Sequence, residues 1–85
     1  MIVAKVVTLD AGYNSEQIKV RELNWKIGDE FEVDDISVGG FHTDIILKGL
    51  GSFNSVFFEI YEDGKPLNVF GDKRFNKYLN MFQMW

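Results

Sequence analysis

The chain has 85 residues, one histidine, no cysteine and a net charge of −4 at neutral pH. That length makes one small domain, the cysteine count excludes disulfides, a thiolate nucleophile and zinc–thiolate sites, and a single histidine excludes a multi-histidine metal site within one chain. Hydrophobic residues make up 46% and aromatic residues 15% of the chain, which places it with globular rather than disordered sequences. No apolar run approaches the roughly 20 residues of a membrane span. The absence of cysteine suits a reducing cytoplasm.

In chain order, the sequence reads as a series of strands. Residues 2–9 are rich in β-branched side chains and end at the turn signal Asp10-Ala11-Gly12. They lack a basic leader and a small-residue cleavage site, so they read as a strand and not as a signal peptide. Ile18 and Val20 alternate with Gln17, Lys19 and Arg21, which predicts a second strand over about 16–23. Ile27-Gly28-Asp29-Glu30 is a turn, with Gly28 free to take positive φ. Phe31 and Val33 then alternate with Glu30, Glu32 and Asp34, a half-buried strand. After Gly39-Gly40, the residues Phe41, Thr43, Ile45 and Leu47 share one face of a further strand. Residues 52–62 form the longest predicted strand, and Asp63-Gly64 is the strongest hairpin signal. Pro66 opens a last short strand through Phe70.

Six strands at spacings of about ten residues predict a mainly β fold, a small antiparallel β-barrel or sandwich of SH3-like or OB-like size. At the C-terminus the period changes. Phe75, Tyr78, Leu79, Phe82 and Trp85 lie three and four apart, and Asp72 is a helix N-cap candidate. The expected division is therefore a β-barrel core over 1–71 and an amphipathic helix or tail over 72–85. The plain reading packs these aromatics on an open end of the barrel. The sharper one makes Phe75, Tyr78, Phe82 and Trp85 an apolar partner surface.

The charges are segregated. Residues 26–40 sum to −4 and residues 41–63 to −3, while residues 64–85 sum to +3. Asp29, Glu30, Glu32, Asp34 and Asp35 place five carboxylates within seven positions, and on a strand Glu30, Glu32 and Asp34 point to one side. Such a row serves as a solvated edge that blocks aggregation, or as a negative patch that docks a basic protein surface, including one that normally holds nucleic acid. Direct nucleic-acid binding is disfavoured by the net charge.

Little points to catalysis. The spacing of the acidic residues matches no EF-hand loop, and a His42–Asp44 pair on one strand face reads as a surface hydrogen bond. In KGLGSFNSVFF, residues 48–58, the glycines lead into a strand and not into a helix N-terminus, and no Gly-Lys-Ser/Thr follows. The pattern therefore argues against a phosphate loop. Gly49 and Gly51 let the chain reverse, Ser52, Asn54 and Ser55 serve turn backbone groups, and Phe53 either plugs the barrel or stands at the loop tip as a contact. No cofactor and no metal site is expected, and the chain does not read as an enzyme.

The run Lys26-Ile27-Gly28-Asp29 through Asp35-Ile36-Ser37-Val38-Gly39-Gly40, with Leu47-Lys48-Gly49, Gly51-Ser52-Phe53-Asn54-Ser55-Val56 and Lys73-Arg74-Phe75-Asn76, resembles small proteins encoded by phages and prophages of Gram-positive bacteria. The resemblance implies a small accessory protein acting in the host cytoplasm. Many such proteins bind and block a host factor such as a defence nuclease. With the acidic strand, it makes a non-catalytic inhibitor that docks a basic host protein the leading expectation, with no membrane partner and with homo-oligomerisation left open. The alternatives are a barrel that binds a nucleotide or other small ligand, and a structural virion or assembly subunit.

Overall fold

The computed structural model describes residues 1–40 and 42–76. Six strands, β1 (Ile2–Val6), β2 (Glu30–Val38), β3 (Thr43–Leu47), β4 (Gly51–Asn54), β5 (Phe58–Glu62) and β6 (Lys65–Pro66), form one sheet in the order β4-β3-β2-β1-β5-β6. Every pairing is antiparallel. The mainly β expectation holds, but the sheet is open: its end strands β4 and β6 are not neighbours in the hydrogen-bonded order. The long strand expected over residues 52–62 is broken by a 3-10 turn, Ser55–Phe57, which carries the chain from the β4 edge to the far side of β1. The last strand is only two residues, followed by a second 3-10 turn at Val69–Gly71.

What covers the apolar side of this open sheet is a helix, and here the sequence expectation fails. Residues 14–22 form α1 (Asn14–Glu22) and not a strand. Ile18 and Val20 alternate by accident of spacing: Val20 is fully buried, whereas Ile18 is 55% exposed. The signals at the helix ends outweigh that alternation. Glu16 reaches back to accept the Tyr13 backbone N–H at 2.8 Å, which satisfies a donor at the helix start. At the other end Asn24 takes φ +57; its N–H donates to the Arg21 carbonyl and the Trp25 N–H to that of Val20, the paired bonds that close a helix through a left-handed residue.

The closing turn delivers Trp25 into the core. Its ring lies 4.8 Å from Phe31, 4.6 Å from Phe53 and 5.6 Å from Phe58, centroid to centroid. These rings join Ala4, Val6, Val20, Ile36, Ile45, Leu47, Phe57, Ile60 and Val69 in one buried cluster. Phe53, 5% exposed, therefore points inward and is no loop-tip contact.

β2 is the strand on which the sheet turns. Residues 30–32 pair with β1 and residues 33–38 with β3. Between them the register shifts, so that Asp35 and not Asp34 follows Val33 in the ladder. The sequence requires this bulge. Phe31 and Val33 are an odd number of residues from Ile36 and Val38, so an unbroken strand would turn the second pair away from the core. One extra residue, Asp34, keeps all four on the apolar side.

The turn after β5 is the expected one, with Asp63 at φ +51 and Gly64 at φ +80, both left-handed as a two-residue hairpin demands. Beyond it, residues 72–76 form a helical turn: the Asn76 N–H donates to the Asp72 carbonyl at 2.8 Å, and the Asp72 carboxylate caps it by accepting the Arg74 N–H at 2.8 Å. Tyr78, Phe82 and Trp85, and the helix expected to carry them, lie outside the described residues.

Arg74 ties this turn to the sheet. Its guanidinium makes paired bonds to the Glu62 carboxylate at 2.7 and 2.9 Å and further bonds to Asp72. Arg74 holds the carboxyls of both Glu62 and Asp72 below their ordinary values. Groups with depressed folded-state values stabilise the fold at pH above the unfolded values, and that contribution disappears as pH falls through the folded ones. Arg74→Ala is therefore expected to lower the melting temperature at pH 7, with the gap to wild type closing below about pH 4. Melting curves from pH 7 to pH 2 check this, and a gap that persists undiminished at pH 2 refutes the linkage.

Candidate functional site

Two surfaces stand out. The first is the outer side of the sheet, where register builds cross-strand rows. Glu30, Lys5 and Glu59 lie side by side across β2, β1 and β5, and Glu32, Val3 and Tyr61 form the next row. Directly opposed residues sit about 5 Å apart and successive outward residues of one strand 6–7 Å apart. The bulge adds Asp34 and Asp35, both exposed. Five carboxylates thus share a surface with two ammonium groups, Lys5 and Lys48, the latter 3.7 Å from Glu32. Tyr61 donates its hydroxyl to Glu59 at 2.6 Å, and this bond raises the Tyr61 pKa. It holds an aromatic ring in the middle of the acidic surface.

The expected acidic residues divide on this surface. Glu30, Glu32, Asp34 and Asp35 are exposed on β2. Asp29 is a turn residue: its carboxylate accepts the Lys26 N–H at 2.9 Å and its carbonyl accepts the Val6 N–H. Glu59 and Tyr61 join the surface through the β1–β5 pairing, which links positions some sixty residues apart and leaves no local signal. Phe75 is half-buried against the core, with the Arg74 guanidinium 5.1 Å from its ring centre.

The second surface is a cleft of about 820 Å³ where three connections meet. It is lined by Gly12 and Tyr13 before α1, by Gly39, Gly40 and His42 between β2 and β3, by Ser55 and Val56 of the crossover, and by Phe70 and Asn76. A hydrogen-bond network fixes these parts. The Glu16 carboxylate that holds the Tyr13 N–H also accepts from the buried Asn54 side chain at 3.3 Å, and Asn54 in turn accepts the Val56 N–H at 3.1 Å. The sequence singles out His42 as one of a surface pair and Asn54 and Ser55 as turn residues, but none of them as lining a cleft. Of the residues expected to serve turn backbone groups, Asn54 does so through the Val56 N–H. His42, on the rim, bonds Asp44 at 2.7 Å, the surface pair expected. Among the described residues no group of three or more His, Cys, Asp or Glu side chains is arranged to hold a metal ion, and no helix is long and apolar enough to cross a membrane.

Residues 1–81 match the family model described as bacteriophage T4 protein Y07B. The chain belongs to this family. Its phage origin agrees with the resemblance noted above, whereas the match says nothing of Gram-positive hosts. No curated protein and no solved structure matches the chain.

Proposed function

We propose that this phage protein is a non-catalytic binding module that acts in the host cytoplasm, where it docks a basic surface of a host nucleic-acid-handling or defence protein and blocks it. The observation that supports this reading is the outer sheet surface, where Glu30, Glu32, Asp34, Asp35 and Glu59 outnumber Lys5 and Lys48 around the Tyr61 ring. The paired strands hold these charges on a common frame, and complementary charge speeds encounter and selects partners.

The test is capture from host lysate with the wild type and with the variant Glu30→Lys/Glu32→Lys/Asp34→Lys. The wild type is expected to retain a protein at low salt, to release it as salt rises, and to release it when duplex DNA is added as competitor. The variant should lose capture by tenfold or more. Its melting temperature should change little, since exposed substitutions fall within about 0.5 kcal/mol each. Capture that survives both salt and charge reversal would make the acidic row a solvated, anti-aggregation surface only.

A further inference from the structure

β5 is longer than the strand that borders it. β6 pairs with it only at Tyr61–Pro66 and Glu62–Lys65, and the last bond between the two segments runs from the Leu67 N–H to the Ile60 carbonyl at 2.8 Å. Asn68 then turns the chain away, its side chain accepting the Phe70 and Gly71 N–H groups. The part of β5 before this point borders a notch of about 360 Å³, lined by Phe58, Glu59 and Ile60 on one side and by Leu67 and Phe70 on the other.

Alternation decides which backbone groups face the notch. The Phe57 carbonyl accepts the Val7 N–H, and Glu59 and Tyr61 lie opposite Lys5 and Val3, so Phe57, Glu59 and Tyr61 turn their backbone groups toward β1. Phe58 and Ile60 turn theirs toward the notch. Two of those four groups are taken: the Phe58 N–H donates to the Ser55 carbonyl, and the Ile60 carbonyl accepts from Leu67. Among the described residues, the Phe58 carbonyl and the Ile60 N–H have no partner. Both residues are nearly buried, Phe58 at 9% and Ile60 at 8% exposure, where an unmade backbone bond is costly.

A free acceptor and a free donor on alternate residues of one strand match the backbone of an added strand. Its direction follows from which groups are left. An antiparallel strand exchanges both bonds with a single residue, and that would need the Phe58 N–H or the Ile60 carbonyl, both occupied. A parallel strand bonds to the residues on either side of the one it faces, here Phe58 and Ile60 on either side of Glu59. The residue facing Glu59 projects its side chain to the side of the exposed Glu59 carboxylate. The hydroxyl that Tyr61 donates to Glu59 carries no charge, and Lys5 stands between Glu59 and Glu30, one ammonium for two carboxylates. Opposite charge is favoured at that position. Its two neighbours project to the apolar side that holds Phe58 and Ile60. We propose that the notch binds an extended segment of a partner protein, running parallel to β5, with a Lys or Arg opposite Glu59 and apolar residues on either side of it.

A random dodecapeptide library, displayed on messenger RNA and panned over the full-length chain, tests this. The expected winners carry a Lys or Arg between two apolar residues. In the free protein the Ile60 amide proton should exchange with water at least about tenfold faster than those of Glu59 and Tyr61, and a synthetic winner should slow it. The same peptide N-methylated at its basic residue cannot donate to the Phe58 carbonyl and should bind at least about tenfold more weakly. Panning over Glu59→Lys, a change at an exposed side chain, should replace the basic residue by Asp or Glu. N-methylation removes a backbone bond that the acidic row does not make, so this result and the lysate capture stand or fall separately. Absence of enrichment, winners without a basic residue, equal binding by the N-methylated peptide, an Ile60 amide already as protected as its neighbours, or unchanged winners on Glu59→Lys each overturns the proposal.

Discussion

Replacing Trp25 by alanine is expected to destabilise the fold by about 3–5 kcal/mol, the usual consequence of removing a large buried aromatic. The indole touches three rings from three different elements, Phe31 on β2, Phe53 on β4 and Phe58 on β5, so no single neighbour can move in to fill its space. A domain of this length has a total stability of only about 4–13 kcal/mol. The melting temperature should fall by about 4–8 °C per kcal/mol lost, and at the lower end of that range the variant will not fold at all. Calorimetry on the wild type, Trp25→Phe and Trp25→Ala checks this, with the phenylalanine variant expected between the other two. A fall of less than about 5 °C in Trp25→Ala would show that the sheet closes on its core without the indole.

The second large effect is expected at Gly39. Its N–H donates to the His42 carbonyl at 2.9 Å and closes the β2–β3 hairpin. A Cβ at this position would lie 2.5 Å from that same carbonyl oxygen, and the obstacle is backbone, which cannot rotate aside as a side chain would. Gly39→Ala must therefore either open the hairpin, losing about 1 kcal/mol for the bond, or shift the strands, at about 1–3 kcal/mol. Either change displaces a wall of the cleft. The expected result is a melting temperature lower by roughly 5–20 °C, while Ser37→Ala, exposed on the same strand, stays close to wild type. Equal melting of the two variants would refute the steric account.

What could be read from the residues followed the range of the signal. The Asp63-Gly64 hairpin, the positive φ of Gly28, the chain reversal at Gly49 and Gly51 and the strand holding Phe31 and Val33 rest on adjacent residues. The helix was missed because Ile18 and Val20 mimic a strand, while Glu16 and Asn24, which settle the matter, sit at its two ends and act on backbone groups. The unbroken strand over 52–62 failed at Asn54, whose side chain takes the Val56 N–H and so favours a turn over a ladder. The acidic row was legible on β2 alone. Its extension to Glu59 and Tyr61, and the whole cleft, depend on pairings between distant parts of the chain.

The position of β1 has a consequence for how the molecule assembles. β2, β3 and β4 are consecutive in sequence and lie side by side, so a growing chain can form them with short loops. β1 is made first and sits in the middle of the sheet, yet its second partner is β5, with Ile2 opposite Glu62. That pairing spans almost the entire described chain, and closing so long a loop is entropically unfavourable until other contacts reward it. The earliest strand must therefore wait for one of the latest, and neither half of the core has a complete sheet without the other. Folding in this protein therefore couples β1 to β5 across the described chain, and the sheet is complete only once both are in place.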